Sequence, residues 1–446
     1  MLNKLFKRSP VSSPSRETPQ VTSFEKSNAL LMKALEIIPI ASQTFSKSHL
    51  QYPKDHAPLF IDRGQGARVW DIDGNSYIDM VNGLMSITLG YNDPDVNSAV
   101  MKQLSRGITF SHASELEYEL AQMLVDIIPC AEMVRYGKTG TDATSGCVRL
   151  SRAYTGRDKI LACGYHGWQD WYIGTTARRL GVPKAVQALT DTVPYNDLDA
   201  LSDLLKTEQY AAFILEPMNI AFPKPGYLEA VREITRQTGT VLVFDEIVTG
   251  FHFSLGGAQE LFGVTPDLAA FGKGMGNGLP ISAVVGSRDI MKKMDDIFFS
   301  GTFGGETLSL AGSIAVIQKM KREPVIQHLQ QAGDRLDQAV SHILKETQLD
   351  HLISFKGHPC WKIMSVENAG NISAQVIKTF IQKNMIARGV IILSTHNMSY
   401  AFGTAEHNSV IKAYQETFSE LSRHLTQGTL MDNLGCPVIE PIFKVR

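Results

Sequence analysis

Val241-Leu242-Val243-Phe244-Asp245-Glu246 is four apolar residues closed by two carboxylates. A run that short, with no polar alternation, reads as a strand covered on both faces, which belongs in a parallel sheet flanked by helices. Similar runs lie upstream, at Met133-Val134-Arg135-Tyr136, Lys159-Ile160-Leu161-Ala162-Cys163 and Ala211-Ala212-Phe213-Ile214-Leu215, and helical patterns separate them. The chain is therefore expected to be α/β, with a large domain built on a mainly parallel sheet. Ligands of such sheets collect beyond the carboxyl ends of the strands. Gly140-Thr141, Tyr165-His166, Glu216 and Asp245 all fall at such ends, so four strand ends point to one site.

Around this centre the pattern changes. Phe24–Ile38 is amphipathic and predicts a helix; Leu59–Asp62, Arg68–Asp71 and Tyr77–Met80 predict short strands, the last two joined at the hairpin signal Asp73-Gly74-Asn75. Helices are expected after Pro94 and over 115–128, 306–320, 326–344, 373–388 and 409–425, with strands at Trp361–Val366 and Val390–Leu393. These readings divide the chain into a disordered tail (1–23), an N-terminal part of a small domain and an interface (24–90), a large domain (91–322), and a C-terminal small α/β domain (323–446). The tail is basic, rich in Ser and Pro, and free of acidic residues until Glu17.

With 446 residues the chain exceeds what one core usually supports. Its 43 Lys+Arg against 45 Asp+Glu leave a net charge of -2, which gives no footprint for nucleic acid. No apolar stretch has the length of a membrane span, so no stable membrane association is expected. The five cysteines are odd in number and show no metal-ligand spacing, so neither a disulfide framework nor a metal site is expected, and a cytoplasmic location follows.

The chemistry is carried by Lys273, in Phe271-Gly272-Lys273-Gly274-Met275-Gly276-Asn277-Gly278. An amine among glycines, downstream of a buried strand tipped with a carboxylate, is what pyridoxal phosphate requires: Lys273 for the Schiff base, Asp245 to keep the pyridine nitrogen protonated. The flanking glycines are expected to let the backbone approach the ring. Gly140 and Thr141, in a glycine turn between strand and helix, suit the phosphate. Tyr165 offers a flat face for the ring. His166 reads as a supporting histidine and not a catalyst, while Trp168 and Trp171 are left open between core and substrate pocket.

Gly140-Thr141-Asp142-Ala143, Gly164-Tyr165-His166-Gly167, Glu216-Pro217, Phe244-Asp245-Glu246-Ile247-Val248-Thr249-Gly250-Phe251, Gly256-Gly257-Ala258-Gln259 and Thr265-Pro266-Asp267-Leu268 stand in order with Lys273. Together they resemble class III aminotransferases of the fold type I pyridoxal-phosphate superfamily, nearest the branch of glutamate-1-semialdehyde 2,1-aminomutase. The resemblance implies a seven-stranded-type sheet and a homodimer with shared active sites. Thr302, in Ser300-Gly301-Thr302-Phe303-Gly304-Gly305-Glu306-Thr307, would reach the neighbouring subunit's phosphate. Ile247 would pack on the ring face opposite Tyr165, and Glu216 joins the cofactor-binding set.

Departures fall on the substrate side. Met218-Asn219-Ile220-Ala221, Gly304-Gly305-Glu306-Thr307 and Lys47, where the aminomutase has an arginine for the substrate carboxylate, all differ from that branch. The expected activity is transfer of an amino group from an amino-acid donor, glutamate first among them, to an aldehyde or ketone acceptor, sugars included. The alternative is the intramolecular transfer of the aminomutase.

Overall fold

A computed structural model describes residues 23–441. Seven strands form the central sheet: β1 Met133–Gly137, β2 Lys159–Cys163, β3 Thr190–Thr192, β4 Tyr210–Leu215, β5 Val241–Asp245, β6 Leu268–Phe271 and β7 Ser282–Gly286. Their order is β1-β7-β6-β5-β4-β2-β3. β7 runs against β1 and β6, and the other pairs are parallel. β4 and β5 are buried at every position, as expected of strands covered by helices on both faces.

Three strands escape the sequence reading. β3 is three residues long, β6 is only Leu-Ala-Ala-Phe, and β7 follows the glycine-rich loop with only one short helical turn between. Pairing with neighbours places them, which local apolarity could not do.

The regions on either side of this sheet meet. Ile61–Gln65, Arg68–Asp71 and Ser76–Asp79 form an antiparallel set, and Val390–Ile391 adds in parallel to its last strand. The first of these starts two residues later than expected. The strand at Val390 stops at Ile391, three residues before Ser394, whose φ of 56° is left-handed. Asp73 also receives the backbone N–H groups of Lys26 and Ser27, at 2.7 and 2.9 Å, and so holds the start of the helix Glu25–Ile37. A second small sheet joins Ile353–His358, Trp361–Val366 and Thr395–Asn397. The segment after Gln427 packs on its own chain: Leu430 and Leu434 are buried, Lys383 donates to the Leu434 carbonyl at 2.6 Å, and the Ile439 N–H donates to Thr379 at 3.0 Å. Of the expected tail, 1–23, all but Ser23 lies outside the described residues.

Besides His166, three histidines are buried: His252 and His358 where the C-terminal region meets the rest, and His396 within the C-terminal region against Phe355 and Tyr414. Burial pushes His252 down to about 4, with the Lys273 charge adding to it. Burial, then the His252 charge, does the same to His358, at about 4, and burial takes His396 to about 3. Each folded imidazole is therefore neutral, whereas the unfolded chain takes up protons near 6.5. The stability they confer is complete above about pH 6.5 and is lost as pH falls toward 4. Glu246, pushed up to about 6 by burial, works the other way between its ordinary value of 4.5 and 6, and so does Asp79, also raised by burial, which leaves two carboxylates against three imidazoles. In urea unfolding the midpoint should fall from pH 6.5 to 4. His396→Gln should flatten that slope by about one proton, roughly 1.4 kcal/mol per pH unit; an unchanged slope would refute the assignment.

Candidate active site

β5 delivers Asp245 to the carboxyl edge of the sheet, where its side chain is 5% exposed. Its Oδ2 lies 2.8 Å from Nδ1 of His166, and its Oδ1 accepts the Ile247 N–H at 3.2 Å. The His166 ring is fixed in turn: Nε2 is 3.2 Å from the Cys163 carbonyl, and the ring stacks on Trp171 at 6.2 Å and meets Tyr172 edge-on. The sequence reading left His166 with no stated partner; the structure makes it the group that orients Asp245. Trp171 is core, its indole N–H on Ser145 at 3.0 Å, while Trp168 is exposed. Burial, then the Asp245 charge, pushes the Cys147 thiol well up, so Cys147 is an inert neighbour.

The turn after β2 brings Tyr165 beside this pair, its ring perpendicular to that of Tyr172 with centroids 5.6 Å apart. Glu216, at the end of β4, accepts the Tyr165 N–H at 3.0 Å and the Asn219 amide at 3.5 Å. Its buried carboxylate therefore shapes the turn that presents Tyr165. Gly164, at φ +107°, allows this, since a Cβ there would stand 2.5 Å from Glu216 Oε2.

The helix Gly140–Thr155 starts at the same edge. Asp142 accepts from the N–H groups of Lys138 and Thr139, at 3.0 and 2.8 Å, which fixes the turn before it. A Cβ on Gly140 would stand 2.6 Å from Ile247 Cδ1, so Ile247 closes over that turn, and the same side chain lies 3.8 Å from where a Cβ on Gly272 would be. Gly140, Ile247 and the residue before Lys273 are thus in one cluster.

Lys273 opens a single helical turn after β6, with a left-handed φ of 41°. A non-glycine residue held there costs about 1 kcal/mol or more, and such strain gathers at functional sites. Two of the glycines around it are needed for packing. A Cβ on Gly274 would meet Thr88 Oγ1 at 2.6 Å, and one on Gly278 would meet Ile87 at 2.8 Å. They admit the segment after the first small sheet, which packs on the loop. Thr302 is exposed on the segment before the helix Thr307–Arg322, where Gly304 approaches the Tyr136 carbonyl.

The donor set fits a phosphorylated pyridine aldehyde. The Thr141 hydroxyl is buried with no partner among the described residues, at the N-terminus of a 16-residue helix, where backbone N–H groups and dipole favour an anion. Gly167, at φ +104°, comes so close to that hydroxyl that a Cβ would stand 2.4 Å from it. An amine, an oriented carboxylate, an aromatic ring and an aliphatic wall complete the set. Among the described residues no cluster suits a metal ion.

Fold and site together define a pyridoxal-phosphate enzyme of fold type I. Residues 50–407 match the model of the family Aminotransferase class-III, and the chain belongs to that family. It is 33% identical over 412 residues to the 3-aminobutyryl-CoA aminotransferase of Cloacimonas acidaminovorans, covering 90% of this chain and 98% of the relative. It is 36% identical over 400 residues to a glutamate-1-semialdehyde 2,1-aminomutase of an Exiguobacterium species, with coverage of 83% and 92%. Among solved structures, the FumI protein of Sphingopyxis sp. MTA144, in a PLP-containing form, superposes with a TM-score of 0.84 at 26% identity, over 90% of this chain and 98% of FumI. The protein is thus a pyridoxal-phosphate-dependent aminotransferase or aminomutase.

Proposed function

We propose that the protein transfers an amino group from an amino-acid donor, with glutamate expected, to an aldehyde or ketone acceptor, sugar carbonyls included. When bound, pyridoxal phosphate supplies an aldehyde that condenses with amines and a ring that draws off the electron pair left at the substrate carbon. Lys273 supplies the amine that anchors the cofactor and then carries the proton from the substrate carbon. Asp245, aimed by His166, holds a proton on the ring nitrogen. Tyr165 and Ile247 would flank the ring, Gly140 and Thr141 would bind the phosphate, and Glu216 fixes the Tyr165 turn.

The observation that carries this reading is the convergence of Asp245, Ile247, Gly140 and the Lys273 loop at one sheet edge. Substrate would enter a cavity of about 600 Å³ beside Gly278, lined by Lys47, Tyr52, Arg63, Asp79 and Tyr91. Lys47 would then meet the substrate as a compact point charge, not the bidentate fork of an arginine, which suits a substrate other than the semialdehyde.

The active unit in this reading is a homodimer in which Thr302 reaches the other subunit's phosphate. Phe298 and Phe303, which flank Thr302, are 80% and 58% exposed and would be covered there. All five cysteines are free thiols, in keeping with a reducing cytoplasm.

A screen of amino donors against aldehyde and ketone acceptors tests the proposal. Glutamate with the right acceptor should give 2-oxoglutarate in a 1:1 ratio with aminated product. Isomerisation of one substrate with no keto acid released would replace it with the aminomutase reading.

A further inference from the structure

Lys138 stands two residues before Gly140, and its ammonium leaves the glycine turn to meet Glu306 Oε2 at 3.0 Å. The two side chains are 20% and 13% exposed. Glu306 has a second task. It caps the helix Thr307–Arg322, accepting from the N–H groups of Leu308 and Ser309 at 2.6 and 3.2 Å and from the Ser309 hydroxyl at 2.6 Å. The neighbouring Gly305 is wedged against Glu117, where a Cβ would stand 2.5 Å from Oε1, and Glu117 is itself fixed by the Ser114 N–H at 3.0 Å. The segment carrying Thr302 is therefore rigid at Gly305-Glu306, while Thr302, four residues earlier, is exposed.

A partly exposed ion pair adds little to global stability. Its effect here is positional, because its two ends belong to two pieces of cofactor machinery. We infer that Lys138 and Glu306 form a positioning pair that locks the Thr302 segment to the phosphate turn of its own subunit. Each subunit's phosphate turn thereby sets where Thr302 arrives in the other subunit. The inference rests on the proposed phosphate role of Gly140 and Thr141 and on the proposed dimer.

Apoprotein titrated with pyridoxal phosphate, read by absorbance, tests the pair alongside the melting temperature of the apoprotein. Glu306→Asp keeps a good helix cap but is too short to reach Lys138, and Lys138→Met removes the cation without touching the cap. Each should raise the cofactor Kd about tenfold, the scale of one hydroxyl lost from a charged phosphate, with the apoprotein melting temperature unchanged. The double variant should be no worse than the weaker-binding single, since both break one link. Wild-type Kd in both singles, or effects that multiply in the double, would overturn the inference. If Glu306→Asp fails to fold, Lys138→Met alone decides: a wild-type Kd refutes the pair, and a tenfold rise supports it. A wild-type apoprotein that takes up no pyridoxal phosphate would instead refute the functional reading beneath it.

Discussion

Lys273→Ala is expected to fold like the wild type and to show no measurable amine transfer, a loss of about 10⁴-fold or more. The fold should survive because the loop is held by other groups: Gly274 against Thr88, Gly278 against Ile87, and Asn277 through its side chain to Leu89 and Gly90. Alanine at φ 41° is no more strained than lysine there. What disappears is the one amine placed on the loop after β6, and with it both the covalent anchor and the proton carrier. Lys273→Arg should be nearly as inactive, because a guanidinium stays protonated at any working pH and accepts no proton, although it keeps the positive charge. Comparing the two variants separates loss of a base from loss of a charge. Adding small primary amines to Lys273→Ala should restore part of the proton transfer. Turnover within tenfold of wild type in Lys273→Ala, measured with the donor and acceptor found by screening, would remove Lys273 from the mechanism.

The residues that make this prediction possible were readable because chemistry and local pattern coincide at them. Asp245 closes an unbroken apolar strand, and Lys273 stands in a glycine series that no surface loop needs. Gly140-Thr141 and Tyr165 sit at strand ends for the same reason, and the parallel sheet followed from strands too apolar to face water. Contacts distant in sequence were not legible. His166 gave no sign that it would bind Asp245, 79 positions away, because a histidine after a strand has many possible partners. Lys138 and Glu306 are 168 positions apart, each ordinary in its own segment. β6 and β7 were missed because short runs rich in Ala and Val become strands only when neighbours pair with them, and antiparallel β7 has only one short helical turn before it. The packing of Gly274 on Thr88 and of Gly278 on Ile87 was likewise not legible, since those partners lie 186 and 191 positions upstream.

Asp245→Asn should still bind pyridoxal phosphate, through Lys273 and the Gly140-Thr141 turn, but should lose about 10² to 10³ in kcat. Both carboxylate oxygens are acceptors in the structure, one facing His166 Nδ1 at 2.8 Å and the other the Ile247 N–H at 3.2 Å. An asparagine amide supplies one acceptor and one donor; with its oxygen kept on the Ile247 N–H, its NH₂ faces His166 Nδ1, which can accept only when the imidazole is neutral with its proton on Nε2 toward the Cys163 carbonyl. Exchanging a hydrogen bond to a charged carboxylate for a neutral one costs about 1 kcal/mol of stability, a drop that denaturant unfolding can read. The rate loss is a separate effect. With the negative charge gone, a proton on the ring nitrogen is no longer favoured, and the electron pair at the substrate carbon has a poorer place to go. The charge matters equally to donor and acceptor, so single-turnover rates with either one should fall together while cofactor occupancy stays near wild type. Asp245→Glu keeps the charge but pushes one more methylene toward His166 in a packed site, and should lose less rate than the asparagine. If Asp245→Asn turns over as fast as wild type with its stability lowered as expected, the carboxylate at the end of β5 is a structural partner of His166 and another group keeps the ring protonated.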